Sequence, residues 1–170
     1  MTNDKKVWGN LISIVIPIKD EEPNILPLAD EIEEVFSDVK WNWECLWVDD
    51  GSVDGSVQVL RKLSNDRPRH RVISFAANAG QSAALWCGCR AAKGDIIATL
   101  DGDGQNDPHD IPKLVALVAS GKCDMANGYR QNRKDNWVRR ISSRIANGFR
   151  NAMTGKTVRD VGCSTRAFRK

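Results

Sequence analysis

The sequence predicts an α/β protein with a mostly parallel sheet covered by helices on both faces. Two observations carry that expectation. Apolar runs of four to eight residues alternate with stretches of helical periodicity from residue 11 to residue 153. The runs are near-continuous in Val, Ile and Leu and do not alternate with polar residues, as expected of strands buried on both faces. A third pattern concerns function: several runs end in polar, Gly-punctuated sequence rich in aspartate.

The elements follow in order. Residues 11–17 (LISIVIP) are a β-rich apolar run. Helix is expected over 24–37, where Ile25, Leu28, Ala29, Ile32, Val35 and Phe36 keep i, i+3, i+4, i+7 spacing. WECLWVDD (43–50) is the second strand, and 56–63 a short helix with Val57, Leu60 and Leu63 on one side. RVISFA (71–76) is the third strand, followed by an alanine-rich helix over 81–93 that Gly94 stops. DIIATLD (95–101) is the fourth. Asp107 is placed to cap a helix with Pro108 at its first position, burying Ile111, Leu114, Val115 and Val118. DMANGY (124–129) reads as a fifth strand, 137–153 as a long helix, and CSTRAF (163–168) as a last strand at the chain end. No internal repeat, low-complexity tract or linker interrupts the pattern, and 170 residues suit one domain, 1–170.

Composition narrows the class. A hydrophobic fraction of 41% with 28% charged residues is that of a soluble globular protein. The polar N-terminus is no signal peptide, and the longest apolar stretch, LISIVIPI, is far short of the roughly 20 residues of a spanning helix. Five cysteines, odd in number and without CxxC pairs, read as free thiols of a reducing compartment, so a cytoplasmic location is expected. The net charge of +3 is unevenly spread. Residues 130–150 hold seven Lys/Arg against one acid, leaving 18 basic and 21 acidic residues elsewhere. On a helical wheel Trp137, Val138, Ile141, Ile145, Phe149 and Met153 fill one arc, and Arg139, Arg140, Arg144 and Arg150 the opposite one. Such a face is either solvated or drawn to an anionic partner, such as phosphate or an anionic membrane surface.

In open α/β sheets ligands bind beyond the carboxyl ends of the strands. There the sequence places Lys19-Asp20-Glu21-Glu22, Asp49-Asp50-Gly51-Ser52, Asn78-Ala79-Gly80-Gln81 and Asp101-Gly102-Asp103-Gly104-Gln105. Neither GxGxxG nor GxxxxGK[ST] follows a strand, so phosphates would be held by a cation and basic side chains. Two aspartates one residue apart repel unless a positive charge lies between them, and their hard oxygens suit Mg²⁺ or Mn²⁺. Asp54-Gly55 reads instead as a turn and cap for the next helix.

"SIVIPIKDEEPNI", "VDDGSVDGS", "NAGQSAAL", "LDGDGQNDP" and "VRDVGCSTRAFRK" occur in the order found in family 2 of the GT-A glycosyltransferases. The resemblance spans residues 11–169 and is nearest to the polyprenyl-phosphate sugar transferases, the dolichol-phosphate mannose synthase-like branch. It implies a GT-A fold and an inverting hexosyltransferase. The donor would be a GDP- or UDP-sugar with Mg²⁺ or Mn²⁺ on its diphosphate, and the acceptor a polyprenyl phosphate at the cytoplasmic membrane face. Cell-envelope or glycolipid biosynthesis would be the setting. Transfer to a sugar hydroxyl is the alternative acceptor chemistry.

The resemblance also assigns roles. Pro17, Ile18 and Glu21 resemble the loop that holds the base, and Asp49 the carboxylate that bonds the base or ribose. Asp101 matches the first motif aspartate, near ribose and metal; Asp103 and Gln105 match metal ligands. Arg130 resembles a donor-phosphate residue, Arg139 and Ser143 lie where diphosphate or acceptor phosphate is contacted, and Asp160 resembles an acceptor-side aspartate. Arg166 serves phosphate or packs. Gly102 and Gly104 replace bulkier residues and are expected to loosen their loop. Family members usually continue past the acceptor motif, so a catalytic domain lacking a C-terminal extension is expected. Two other classes fit less of the sequence. An aspartate-nucleophile phosphotransferase would want Thr or Val where Gln105 stands, and a nucleic-acid or membrane-surface binder leaves the carboxylate-rich edge unexplained.

Overall fold

A computed structural model of the protein describes residues 10–128 and 164–170. Its elements are β1 (Leu11–Ile18), α1 (Glu22–Ser37), β2 (Asn42–Asp49), α2 (Ser56–Asp66), β3 (His70–Ser74), α3 (Gln81–Ala91), β4 (Ile96–Thr99), α4 (Ile111–Ala119), β5 (Met125–Asn127) and β6 (Arg166–Arg169). The expected strands and helices within these residues are present, with ends shifted by a few residues. One start differs in kind: Pro108–Asp110 is a single 3₁₀ turn, and α-helix begins only at Ile111. Asp107 does cap that turn, its carboxylate accepting the His109 N–H at 2.8 Å. The helix expected over 137–153 lies outside the described residues.

The strands form one sheet in the order β3-β2-β1-β4-β6-β5. β3, β2, β1 and β4 are parallel; β6 runs antiparallel between β4 and β5. The first four strands thus fulfil the parallel expectation, and the last inserts as an antiparallel member next to β4.

Pleating sends alternate residues to opposite faces. Ile12, Ile14, Ile16 and Ile18 of β1, with Trp43, Cys45 and Trp47 of β2, pack with the buried stripes of α1, α2 and α4. Val15, Leu46, Val48 and Ile97 face the other way, against α3. There Gly88 lets the helix approach: a Cβ at that position would sit 2.4 Å from Val15 Cγ1. Chain direction from β1 runs outward to β2 and β3 on one side, then returns to β4 on the other. The switch lies between β1 and β4, and the loops at their carboxyl ends diverge to leave a crevice.

Candidate functional site

A cleft of about 430 Å³ opens at that switch point, lined by Pro17, Ile18, Lys19 and Glu21 at and after the end of β1, Asp50 after β2, Asn78, Gly80 and Gln81 ahead of and within α3, and Asp101–Asp103 after β4. Four separate sequence segments deliver its walls, as the strand ends predicted.

Each wall is held by polar contacts between loops. The β1–α1 loop is zipped to the β2–α2 loop. Lys19 Nζ donates to the Gly51 carbonyl at 2.8 Å, Asp20 N–H to Ser52 Oγ at 2.9 Å, Glu21 N–H to Ser56 Oγ at 3.0 Å, and Val53 N–H to Asp20 Oδ1 at 2.7 Å. Asp20 takes φ +55°, a left-handed backbone that aspartate tolerates because its short side chain bonds locally. Those bonds, that from the Val53 N–H foremost, hold its carboxyl below the usual range. Asp54 is the turn residue expected: its carboxylate accepts the Ser56 N–H at 2.9 Å and the Glu22 N–H at 3.2 Å.

The adjacent aspartates of β2 divide the work. Asp49 is fully buried, with Oδ1 accepting the Ser52 N–H at 3.1 Å and Oδ2 the Ser74 hydroxyl at 2.9 Å. Asp49, expected to contact the base or ribose, is not among the residues that line the cleft. Asp50 lines the cleft and accepts the Ala79 and Gly80 N–H groups at 2.7 and 2.9 Å. Asp50 therefore sets the turn that carries Asn78 and Gly80 to the wall. Nothing in the sequence separates the two residues except strand parity: Asp49 is the last paired residue of β2, opposite Ser74.

On the opposite wall Asp101 Oδ1 accepts from Gln81 Nε2 at 2.9 Å, and Asp103 Oδ1 accepts the Gln105 N–H at 3.0 Å. Gln105 itself is exposed and absent from the cleft lining; it meets the motif through its backbone. Gly102 does not loosen the loop. It is buried, and a Cβ there would come within 2.3 Å of Ile18 Cδ1, so its small size lets the two walls meet at the cleft floor. Gly104, at φ +69°, faces open space and supplies the turn. Arg130, Arg139, Ser143 and Asp160 lie outside the described residues. Arg166 is in β6, opposite Thr99 at the end of β4.

Among the described residues the cleft lining carries four carboxylates (Glu21, Asp50, Asp101, Asp103) and one ammonium, Lys19. Such a donor set fits a hard divalent cation with phosphate oxygens completing its shell. Among the described residues a different trio, Glu31, Asp107 and His109, brings three potential ligand atoms within 4.8 Å of one another. Its contacts are those of a capped turn: His109 Nδ1 lies 2.9 Å from Asp107 Oδ1 and 3.6 Å from Glu31.

Comparison with known proteins gives the family and the fold. The family model described as "Glycosyl transferase family 2" matches residues 13–170. A dodecaprenyl-phosphate galacturonate synthase of Rhizobium johnstonii is 38% identical over 99% of this chain and 50% of its own length. An undecaprenyl-phosphate 4-deoxy-4-formamido-L-arabinose transferase of Proteus mirabilis is 36% identical over 95% of this chain and 49% of its own. The chain thus spans about half the length of these curated relatives. Among solved structures, a mannosyltransferase from Pyrobaculum calidifontis in complex with GDP-Man and Mn²⁺ superposes with a TM-score of 0.68 at 19% identity, over 96% of this chain and 45% of the other. Glucosyl-3-phosphoglycerate synthase from Mycobacterium tuberculosis, with Mn²⁺, UDP-glucose and phosphoglyceric acid, gives 0.71 at 22% identity, over 95% and 57%. These likenesses establish the fold, which is that of the GT-A glycosyltransferases.

Proposed function

From the premise that the chain belongs to glycosyl transferase family 2, we propose that it carries the catalytic cleft of an inverting transferase that moves a sugar from a nucleotide-sugar to a polyprenyl phosphate. The observation that carries this reading is the carboxylate-walled cleft at the β1/β4 switch point, which has room for a nucleotide and the oxygen donors for a divalent ion. The acceptor class rests on the relatives, two of which are named for polyprenyl-phosphate products or substrates.

Pro17, Ile18 and Glu21 form the wall for the base, with Asp50 in place of Asp49 as the β2 carboxylate beside it. Asp101 would hold ribose and, with Asp103, the divalent ion. Mg²⁺ or Mn²⁺ bound there would neutralise the charge that develops on the departing diphosphate. Arg130 and Arg139 serve the same charge, with Ser143 on the acceptor phosphate. A phosphate monoester has its second pKa near 6, so the acceptor is already an anionic nucleophile at neutral pH. Its oxygen bonds to the anomeric carbon as the bond to the nucleoside diphosphate breaks on the opposite face, inverting the centre. No side chain has to abstract a proton, and Asp160 orients the acceptor.

The protein works at the cytoplasmic membrane surface as a peripheral enzyme, to which the basic stretch 130–150 supplies the electrostatic attraction. Incubation with GDP- and UDP-sugars, Mn²⁺ and a short-chain polyprenyl phosphate tests the reading. Release of nucleoside diphosphate that requires the lipid phosphate and stops with EDTA is expected. Release that requires a sugar hydroxyl instead would overturn the acceptor assignment.

A further inference from the structure

The carboxylate of Asp101 is gripped by neutral amides from two directions. Gln81, the first residue of α3, donates from Nε2 to Oδ1 at 2.9 Å. Asn106 reaches Oδ2 from Nδ2 at 3.5 Å, and the same amino group donates to Ser164 Oγ at 3.0 Å. Ser164 is fixed in turn, since its carbonyl accepts the Thr99 hydroxyl at 2.6 Å. Segments 20 and 58 residues apart in the chain therefore meet around one side chain.

A carboxylate has about four lone-pair sites. The two amides occupy one on each oxygen and leave the others for the cleft. Their neutrality matters. A lysine or arginine at either place would orient Asp101 as well, but it would cancel the negative charge that a bound cation needs. Carboxamides fix the rotamer and leave the charge intact, as outer-shell partners of metal ligands do.

We propose that Gln81 and Asn106 are positioning residues for Asp101, and that Asn106, through Ser164, ties the entry of β6 to the metal-binding wall of the cleft. This rests on the assignment of Asp101 and Asp103 to a divalent ion in the proposed function, and the experiment separates the two. Mn²⁺ is titrated into the protein with saturating UDP or GDP, and free Mn²⁺ is followed by electron paramagnetic resonance. Gln81 is exposed and Asn106 half-buried, so Gln81→Ala and Asn106→Ala leave the core untouched.

Each variant is expected to bind Mn²⁺ about tenfold more weakly. Nucleotide affinity measured in EDTA should fall less than Mn²⁺ affinity, a split that a merely structural role would not produce. In an Asp101→Asn background, Gln81→Ala should add no further loss, because its effect passes through that carboxylate. Mn²⁺ affinity within twofold of wild type in both variants, while Asp103→Ala abolishes binding, overturns the clamp and leaves the metal site standing. Unchanged Mn²⁺ affinity in Asp103→Ala as well overturns the metal reading, and the clamp with it.

Discussion

Replacing Asp49 by alanine separates the role its sequence position suggests from the one its surroundings dictate. The carboxylate is fully buried and accepts two hydrogen bonds, from the Ser52 N–H at 3.1 Å and the Ser74 hydroxyl at 2.9 Å. A hydrogen bond to a charged group contributes about 1.5–3 kcal/mol. Ser74 is exposed, so water recovers part of its share. The net cost is then about 2–4 kcal/mol, or a melting temperature lowered by roughly 4–16 °C for a chain of this size. Nucleotide affinity of the folded fraction should change less than about threefold by calorimetry, because the side chain does not reach the cleft. Asp50→Ala should do the reverse in proportion: it frees the Ala79 and Gly80 N–H groups on the cleft wall, and affinity should fall more than stability. An Asp49→Ala protein that melts like wild type but loses nucleotide would refute this division.

Three further outcomes follow from particular contacts. His70 is buried, with Nδ1 accepting the Trp47 indole N–H at 2.9 Å and Nε2 3.1 Å from Glu33 Oε1; burial lowers its pKa, outweighing the opposing pull of Glu33 and Asp30, while Arg67 adds to the lowering. The unfolded chain therefore takes up the proton first, so stability should fall as pH drops below about 6.5, by at most about 1.4 kcal/mol per pH unit, and the slope should vanish in His70→Gln; a melting temperature flat from pH 7.5 to 5.5 rejects this. Gly51 has φ +69°, and a Cβ there would lie 2.6 Å from Ala77 C and 2.7 Å from Asn78 N, so Gly51→Ala should cost about 2–4 kcal/mol in urea unfolding and weaken nucleotide binding by moving the Asn78 wall; a loss under 1 kcal/mol would show that the loop yields. Arg140→Glu with Arg144→Glu should reduce co-sedimentation with anionic liposomes at low salt, each basic residue near the surface contributing about 1 kcal/mol, and equal binding to neutral vesicles would reject the membrane role.

Much of this architecture is legible locally. The buried strands are short apolar runs and the helices keep strict apolar stripes, so Ile25, Leu28, Ala29, Ile32 and Phe36 of α1 and Ile111, Leu114, Val115 and Val118 of α4 are buried as their spacing requires. The cleft was legible too, because polar, Gly-rich sequence after a buried strand has no core to join. What local pattern does not carry is parity and order. Whether Asp49 or Asp50 faces the cleft depends on where the β2 pleat stops, which the pairing with β3 decides. Likewise β6 reads as a strand, yet its antiparallel place beside β4 is set by distant pairing, Ile97 opposite Phe168 and Ala98 opposite Ala167. The setting of Gly102 is not legible locally, since its neighbour across the cleft floor, Ile18, lies 84 positions earlier.

The charge of the cleft makes its own demand on the ligand. Among the described residues Glu21, Asp50, Asp101 and Asp103 line it against Lys19 alone, and Lys19 is already engaged by the Gly51 carbonyl at 2.8 Å and by Asp20 at 3.1 Å. The donors that hold Asp50, Asp101 and Asp103 are backbone N–H groups and carboxamides, which leave their charge uncancelled. A diphosphate entering such walls is repelled: one carboxylate–phosphate pair about 6 Å apart costs roughly 1–3 kcal/mol at the effective dielectric of a protein surface. A divalent ion between them reverses the sign. Without metal, then, the protein should bind a nucleoside more tightly than its diphosphate, by about tenfold or more for one such pair. With Mn²⁺ the order should invert. Calorimetry with uridine, UDP, guanosine and GDP, each in EDTA and in Mn²⁺, reads both halves. A diphosphate that outbinds its nucleoside in EDTA would mean that basic side chains such as Arg130 and Arg139 outweigh these carboxylates without a cation on Asp101 and Asp103.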